Sequence, residues 1–465
     1  MFRRISQFCK KLFDDSSKAE ESTQAGLSLE VVPRKAHSIS RRQISDNAIK
    51  VLYRLNRSGF KAYLVGGGVR DILLGLQPKD FDVVTNATPE EIKKLFRNCR
   101  LVGRRFRLAH IVFGRDIIEV ATLRGHHVDS VETVSKTNES GRLLRDNVYG
   151  SIDEDAERRD FTINALYYDI SDFSIHSYGG GLQDLESHTI RLIGDPETRY
   201  REDPVRMLRA VRFATKLDMN IEPAAAAPIP TLAALLKDIP AARMYEEILK
   251  LYFAGKASQN YNMMRDLGLF APLFPLVDAQ LNESPHGPIA KLLQEMMENT
   301  DLRVKQDKPV TPAFFYAALL WYPLSQRADD IALESGLSLY DAYTAAMGDV
   351  MEQQCRSISI PRRFSSVTKD IWQLQLRFER NKGTKAFRFI EHPKFRAAYD
   401  LLLLRGSAEG GSVAKNAAWW QSFVEGNEEQ RNVIAKSGNK GGRNRNAQRR
   451  RRKPSTKAAP AKPVE

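Results

Sequence analysis

The feature that most constrains this chain is a glycine turn followed closely by two aspartates one residue apart. Residues 64–71 read Leu-Val-Gly-Gly-Gly-Val-Arg-Asp, and residues 78–82 read Pro-Lys-Asp-Phe-Asp. The apolar run 62–65 predicts a buried strand, the three glycines a turn, and residues 69–74 the start of a helix. Glycine lets the backbone come close to phosphate oxygens, and the N–H groups that open a helix attract anions. The pattern therefore predicts a phosphate-binding turn.

The two aspartates, Asp80 and Asp82, predict a metal site beside that turn. They flank the start of an apolar segment at 81–85, and residues i and i+2 of a strand project from the same face. Carboxylates this close repel each other, and a hard cation such as Mg²⁺ usually neutralises such a pair. Glu119, inside the apolar run 117–121, would add a third carboxylate. Alone, the Asp-Phe-Asp pattern also fits a solvated strand edge, and the neighbouring glycine turn favours the metal interpretation.

Four motifs in a fixed order give the sequence a family resemblance. They are the glycine turn with Val-Arg-Asp, the Asp-Phe-Asp pair, Arg-Arg-Asp-Phe-Thr-Ile-Asn-Ala-Leu at 158–166, and Glu-Asp-Pro-Val-Arg-Met-Leu-Arg-Ala-Val-Arg-Phe at 202–213. From about residue 46 to about residue 399, the chain resembles the class II tRNA nucleotidyltransferase and bacterial poly(A) polymerase family. Residues 101–110, Leu-Val-Gly-Arg-Arg-Phe-Arg-Leu-Ala-His, resemble the segment that distinguishes the poly(A) polymerases from the CCA-adding enzymes.

The resemblance implies a role for each matching residue. The implied catalytic residues are Asp80, Asp82, Glu119 and Asp160, with Asp80 and Asp82 as metal ligands. The implied nucleotide-binding residues are Gly67, Arg70, Arg159, Asp203, Arg206, Arg209 and Arg212. The implied cofactor is Mg²⁺, with two ions expected about 3.5–4 Å apart, and ATP is the substrate. For Asp160, a salt bridge with an adjacent arginine is the alternative to a catalytic role.

The segment from Asp203 onward predicts a helix that carries an arginine stripe. Asp203 would cap its N-terminus, with Pro204 at the first helical position. Arg206, Arg209 and Arg212 recur every three residues and so lie on one side. Such a stripe is ordinarily a solvated face. The resemblance instead implies that Asp203 and Arg206 read the edge of the incoming base, and that the other two arginines hold triphosphate oxygens.

The function implied by the resemblance is template-independent polynucleotide adenylyl transfer. AMP from ATP would be added to RNA 3′-hydroxyl ends with release of pyrophosphate, as poly(A) tailing linked to RNA decay and mRNA processing. A CCA-adding tRNA nucleotidyltransferase shares every catalytic motif and is the first alternative. A non-catalytic RNA-binding protein on the same scaffold is the second. The implied partners are RNA 3′ ends of mRNAs, small RNAs and decay fragments, with an RNA chaperone or decay complex as further contacts.

The expected fold class is α+β, with a mixed-sheet nucleotidyltransferase head followed by an all-helical neck and body and a disordered basic C-terminal tail. The expected boundaries are a flexible leader at 1–45, the catalytic head at 46–175, a helical neck with the base-reading helix at 176–255, an RNA-binding helical body at 256–435, and the tail at 436–465. The tryptophans of the helical part fit either the core or stacking on RNA bases; they are Trp321, Trp372, Trp419 and Trp420.

The net charge of +14 is concentrated at the C-terminus. Residues 436–465 hold eleven Lys or Arg and one acidic residue. Such a segment cannot bury a core, so it predicts a disordered tail that captures RNA electrostatically, with a merely solubilising tail as the alternative.

Cysteine usage and hydropathy indicate a cytoplasmic protein. Cys9, Cys99 and Cys355 lie far apart without metal-binding spacing, so a disulfide framework is not expected. No apolar run reaches the length of a membrane span. Residues 2–13 place apolar and basic side chains on opposite sides of a short helix, which fits a flexible leader or a weak contact with an anionic membrane surface. A monomer without integral membrane association is expected.

Overall fold

The computed structural model of the chain describes residues 27–103, 107–125 and 149–438. This part of the chain divides into two compact units. The first contains the described residues up to Asp203 together with Met219–Ala225, and the second contains Pro204–Asp218 and the residues from Ala226 onward. The tail predicted at 436–465 lies almost entirely outside the described residues, as do residues 1–26 of the predicted leader.

The first unit is built on an eight-stranded mixed sheet. Its strands are β1 Leu29–Val32, β2 Ala62–Val65, β3 Asp82–Thr85, β4 Cys99–Val102, β5 Leu108–Phe113, β6 Asp116–Thr122, β7 Leu166–Asp169 and β8 Ile175–Tyr178. Their order across the sheet is β1-β8-β7-β2-β3-β6-β5-β4. All neighbours are antiparallel except β3 and β6, which are parallel. The mixed-sheet head is therefore confirmed.

Within its described residues, the first unit also contains six short or medium α-helices. They are α1 Asp46–Arg57, α2 Gly67–Leu73, α3 Pro89–Leu95, α4 Ile152–Glu157, α5 Gly181–Glu186 and α6 Pro196–Glu202, and a separate parallel pair is formed by β9 Thr189–Ile190 and β10 Asn220–Ile221. Aromatic residues on β7 and β8 fill part of the core: the rings of Tyr167 and Tyr178 meet edge to face with centroids 5.6 Å apart. These strands are buried, so they fix the positions of the loops at their ends.

The predicted limits of the head differ from the observed ones at both ends. Strand β1 pairs with β8, from Leu29 opposite Tyr178 to Val32 opposite Ile175, so this part of the predicted leader belongs to the sheet. The first unit also continues to Asp203, beyond the predicted limit at residue 175. Short strands such as β1 escape sequence reasoning because an antiparallel partner far along the chain stabilises them.

The second unit is helical throughout its described residues. Its helices are α7 Val205–Leu217, α9 Ile229–Leu232, α10 Ala241–Tyr252, α11 Ala257–Asp266, α12 Phe270–Leu273, α13 Pro275–Glu283, α14 Pro288–Lys305, α15 Pro312–Leu319, α16 Trp321–Ser335, α17 Leu339–Ser357, α18 Arg362–Gln375, α19 Ala386–Ile390, α20 Phe395–Glu409, α21 Gly411–Glu425 and α22 Glu428–Gly438. The short helix α8 Pro223–Ala226 has its first three residues in the first unit and its last residue in the second. The all-helical neck and body are confirmed, and the described residues from 226 onward form a single unit without a division at residue 255.

Three of the four tryptophans belong to the core of the second unit. Trp321, Trp372 and Trp420 are buried, and the indole nitrogens of Trp372 and Trp420 donate to the carbonyl oxygens of Ala317 and Phe378 at 2.9 and 3.2 Å. Trp419 is half-buried and its ring stacks on that of Phe423. Among the residues that the structure describes, no helix is long and apolar enough to cross a membrane.

Candidate active site

The glycine turn connects strand β2 to helix α2 at the centre of the sheet. Gly66 has φ of 65°, in the left-handed region that favours glycine, and its N–H donates to the carbonyl of Leu166 on β7 at 3.0 Å. The helix begins at Gly67, two residues earlier than predicted, so Gly67 and Gly68 lie in its first turn. A Cβ atom on Gly68 would lie 3.6 Å from the carbonyl oxygen of Asp80. The first turn of α2 therefore lies against the segment that carries the two aspartates.

Three carboxylates share this end of the sheet. Strand β3 starts at Asp82 and runs parallel to β6, with Val83 paired to Val120. Asp82 and Glu119 are the residues directly before this pair, so they lie at neighbouring positions on adjacent strands. The pKa of Asp82 is raised from 3.8 to about 6, first by desolvation and then by the negative charges of Glu119 and Asp80, while Arg159 lowers it. Asp82 is accessible to solvent, but protein atoms around it displace part of its hydration. The three acids therefore form one field of negative charge.

The strand-face argument used for the two aspartates is only half correct. Asp82 is the first residue of β3, and Asp80 lies in the preceding loop, so the period-2 rule does not apply to Asp80. The loop is held by its contact with α2, and this contact brings Asp80 into the electrostatic field of Asp82. The sequence correctly predicts that Asp80 and Asp82 lie close together, but Asp80 lies in a loop rather than on strand β3.

The donor set fits a divalent cation at Asp80 and Asp82. Charge repulsion that raises a carboxyl pKa is relieved by a bound cation, and carboxylate oxygen is the ligand that Mg²⁺ prefers. Among the described residues, no group of three or more His, Cys, Asp or Glu is arranged to hold one ion. Glu119 pairs across the strands with His110, whose Nε2 lies 3.4 Å from Glu119 Oε1. The ligand set that fits a divalent cation is therefore Asp80 and Asp82, with water or phosphate oxygens as the remaining ligands.

Arg70 does not occupy the exposed position that phosphate contact would require. The residue is 2% exposed, and its guanidinium donates to Asp71 Oδ1 at 2.6 and 2.8 Å and to Asn164 Oδ1 at 2.7 Å. A buried cation needs such partners, because an isolated charge inside a protein is strongly unfavourable. In this conformation the Arg70 guanidinium supports the turn from within, and its contact with phosphate stays a prediction.

Asn164, on which the sequence gave no basis for a functional role, links the glycine helix to Asp160. Its Nδ2 donates to Asp160 Oδ1 at 3.0 Å while its Oδ1 accepts from Arg70. The backbone N–H of Phe161 also donates to Asp160 Oδ1, at 2.9 Å. A continuous hydrogen-bond network therefore runs from Asp71 through Arg70 and Asn164 to Asp160. It joins two sequence motifs, because Arg70 and Asn164 are 94 residues apart in the chain. In the sequence, Asn164 is only an amide four residues after Asp160, and its burial and its partners become visible in the fold alone.

Arg159 is held beside the turn by two residues that sequence reasoning missed. Its Nε donates to the hydroxyl of Tyr167 at 2.7 Å, and its NH2 group donates to Asp155 Oδ2 at 2.9 Å. The Tyr167 hydroxyl donates to the same Asp155 oxygen at 2.8 Å. A Cβ atom on Gly66 would lie 3.5 Å from Arg159 NH1. Arg159 thus places a positive charge next to both the glycine turn and the carboxylate field.

The arginine stripe lies on α7, in the second unit. The helix begins at Val205, directly after Pro204, and Asp203 follows the last residue of α6 in the first unit. The cap by Asp203 stays a prediction. Arg206, Arg209 and Arg212 are half-buried rather than fully solvated, and the remaining side chains of α7 are mostly buried. The guanidinium carbons of Arg209 and Arg212 lie 5.2 and 4.8 Å from the ring centroid of Phe213. Cation–π contact with one ring fixes the spacing of the two charges.

Family models match three parts of the chain. One described as "Poly A polymerase head domain" matches residues 62–191, one described as "Probable RNA and SrmB- binding site of polymerase A" matches residues 218–281, and one described as "Polymerase A arginine-rich C-terminus" matches residues 335–456. The first match covers the glycine turn, the carboxylates and the Arg159 network.

Relatives match either most of the chain or about half of it. Poly(A) polymerase I of Salmonella typhimurium is 55% identical over 91% of this chain and 92% of its own length. A CCA-adding enzyme of Lactobacillus helveticus is 37% identical, but over only 48% of this chain. The solved CCA-adding enzyme of Bacillus stearothermophilus in complex with CTP aligns over 80% of each chain with a TM-score of 0.52 and 24% identity, which shows a shared fold.

Proposed function

The chain belongs to the poly(A) polymerase family, and on this premise we propose that it is a template-independent polynucleotide adenylyltransferase. It adds AMP from ATP to the 3′-hydroxyl end of RNA and releases pyrophosphate. The observation that carries the proposal is the similarity to poly(A) polymerase I over 91% of the chain, because the CCA-adding relative matches only 48% of it.

The head residues divide the chemical work by position. Asp80 and Asp82 hold the divalent cation, and Glu119 strengthens the negative field that attracts it. A divalent metal held by Asp80 and Asp82, Mg²⁺ with two ions expected, would supply positive charge near the RNA 3′-hydroxyl and the pyrophosphate. The chain itself positions the reactants, and catalysis rests on orientation and charge more than on side-chain proton transfer.

Asp160 and Arg159 orient the nucleotide around that centre. Asn164 fixes the carboxylate of Asp160 through one oxygen, and Asp155 with Tyr167 fixes the guanidinium of Arg159. Arg159 stabilises triphosphate oxygens, because a preorganised guanidinium forms charge-assisted hydrogen bonds at little reorganisation cost. We assign the backbone N–H of Gly67 to the same phosphates, and Arg70 supports the turn through its bonds to Asp71 and Asn164.

Base recognition is assigned to Asp203 and the stripe on α7. A carboxylate acceptor beside a guanidinium donor can imitate a complementary base, so no nucleic-acid template is required. We assign Asp203 and Arg206 to the base edge and Arg209 and Arg212 to the triphosphate, in line with the matching family motif. The resulting tails would mark RNAs for turnover, and the helical body and basic tail would retain the RNA.

Extension of an unstructured RNA in the presence of Mg²⁺ tests the proposal. ATP, CTP, GTP and UTP are supplied separately, and products are resolved on a denaturing gel. Long ladders with ATP alone are expected, and they should disappear in Asp80→Asn and Asp82→Asn variants that still bind RNA. Addition limited to two C and one A on tRNA lacking its end would make the chain a CCA-adding enzyme. No product with any nucleotide would favour a non-catalytic RNA-binding protein.

A further inference from the structure

A cleft of about 590 Å³ opens in the helical second unit, among residues that the active-site account does not use. It lies between the C-terminal half of α14, the loop that leads into α15, and the facing sides of α18 and α20. Its volume falls in the range of small-molecule sites, about 300–1,000 Å³. Its apolar lining includes Met296, Phe314, Ile371 and Leu404.

One wall of the cleft presents an aromatic ring that is not fully covered. Phe314 is half-buried, and its backbone N–H donates to Thr311 Oγ at 3.3 Å, so the ring stands at a capped helix start. Arg303 holds the preceding loop, because its guanidinium donates twice to the carbonyl of Pro309, at 3.0 and 3.2 Å. The ring is therefore presented by a fixed loop and is suited to stacking on a planar group.

The edge of the cleft is rich in positive charge. Four cationic side chains line it, against two carboxylates; the cations are Arg303, Lys308, Lys394 and Arg396, and the carboxylates are Glu295 and Asp400. Lys308 and Arg396 are exposed. Such a rim is complementary to phosphates, and an apolar floor beneath it is complementary to a base.

A polar pair stands on α20 beside the apolar floor. Arg396 Nε lies 3.0 Å from Asp400 Oδ1, and Asp400 is half-buried while Arg396 is exposed. Burial raises the pKa of Asp400, although the nearby Arg396 and Arg303 lower it. Asp400 offers acceptor oxygens inside the cleft, where an amino group on a base could donate to them. The same carboxylate disfavours an acyl chain that ends in a carboxylate, because like charges would meet.

We propose that this cleft binds one nucleotide of a single-stranded RNA, with its base stacked on Phe314 and its phosphates along the cationic rim. Bases that carry an amino group, such as adenine and unlike uracil, donate to Asp400. This gives the enzyme a hold on the RNA strand that is separate from the carboxylate centre in the head. The assignment of the strand as RNA rests on the proposed function, whereas the stacking and charge geometry do not.

Binding of labelled oligoadenylate and oligouridylate to the full chain, without ATP or divalent metal, tests the proposal by fluorescence anisotropy. Phe314→Leu should weaken oligoadenylate binding by about fivefold, since base–aromatic stacking is lost. Tyr340→Leu is the matched control, because Tyr340 is 44% exposed and lies outside the cleft. Equal affinities of Phe314→Leu and the wild type would overturn the proposal.

Two further variants separate the phosphate and base contributions. Lys308→Gln should reduce the slope of log K against log salt by about 0.7, because one phosphate contact is lost. Lys305→Gln, an exposed neighbour outside the cleft, should leave the slope unchanged. Asp400→Leu should reduce the preference for oligoadenylate over oligouridylate. Equal slopes in the two lysine variants, or an unchanged preference, would contradict the assignment.

The exposure of Lys308 and one additional measurement keep the conclusion independent of folding and of catalysis. Lys308 is exposed, so its replacement cannot act by unfolding the helical unit. Competition by free AMP should require far higher concentrations than competition by unlabelled oligoadenylate. Equal potency would overturn the strand assignment in favour of a free-nucleotide site. Weaker RNA binding by Phe314→Leu would support RNA binding in the cleft even if the chain transferred no nucleotide. Unchanged RNA binding by Phe314→Leu, with intact nucleotide transfer, would refute RNA binding in the cleft.

Discussion

Asp82→Asn should stabilise the metal-free protein while it abolishes nucleotide transfer. The pKa of Asp82 is raised to about 6 by desolvation, Glu119 and Asp80, whereas the carboxyl titrates near 3.8 when unperturbed. The folded state therefore holds the proton more tightly than the unfolded state, and stability falls as the pH rises from about 4 to about 6. Above that window the charged Asp82 opposes folding, and the neutral amide removes this repulsion.

The expected magnitude follows from the shift and from solvent exposure. A shift of about two pH units corresponds to at most about 3 kcal/mol, at about 1.4 kcal/mol per unit. Asp82 is accessible to water, which screens the repulsion, so about 1 kcal/mol is expected. For a unit of this size such a change raises Tm by about 2–4 °C.

Thermal unfolding at about pH 8 and about pH 4, with and without Mg²⁺, measures this effect. At pH 8 without metal the variant should melt above the wild type, and at pH 4 the difference should vanish, because the wild-type carboxyl is then protonated. Mg²⁺ should raise the Tm of the wild type and leave that of the variant nearly unchanged.

Asp195→Asn is the matched control for this experiment. Asp195 caps α6 by accepting from the Thr198 N–H at 2.8 Å, and its hydrogen bonds with Thr198 lower its pKa. Its neutralisation should therefore give no gain in Tm at pH 8. The reasoning would be refuted if Asp82→Asn melted at or below the wild-type temperature at pH 8, or if the same gain appeared at pH 4.

Three other changes test the support of the site and the role of the tail. Asn164→Ala should lower the free energy of unfolding by about 1–3 kcal/mol and reduce kcat, because the buried Arg70 loses an acceptor. Urea denaturation and extension kinetics measure the two effects, and wild-type values of both in Asn164→Ala would contradict the network. Tyr167→Phe should cost about 1 kcal/mol in urea denaturation through the lost bond to Arg159, and an unchanged midpoint would argue against it. Removal of residues 439–465 should weaken RNA binding and flatten its salt dependence while kcat at saturating RNA stays the same; an identical salt slope would count against electrostatic capture.

The sequence was sufficient for the features that depend on local pattern. The buried strand β2, the glycine turn and the helical second unit follow from periodicity and from turn residues. The carboxylate cluster was predicted because Asp80 and Asp82 are neighbours in the chain and Glu119 interrupts an apolar strand. These signals need no knowledge of distant contacts.

The features that sequence reasoning missed depend on long-range pairing. Strand β1 was assigned to a leader because four residues carry little signal until they pair with β8. Asn164 and Tyr167 were missed because their partners, Arg70 and Arg159, look like surface or ligand-binding cations in sequence alone. A short apolar run or a single amide gains its role from residues that only the fold brings within hydrogen-bond distance.

The sequences of the 3′ ends produced from a mixture of all four nucleotides test the central claim most directly. An unstructured RNA and a tRNA that lacks its CCA end are incubated together with the full chain and Mg²⁺, and the products are sequenced. Runs of A on the unstructured RNA, absent with Asp82→Asn, are the predicted result. A C-C-A end on the tRNA with the unstructured RNA unchanged would contradict the account.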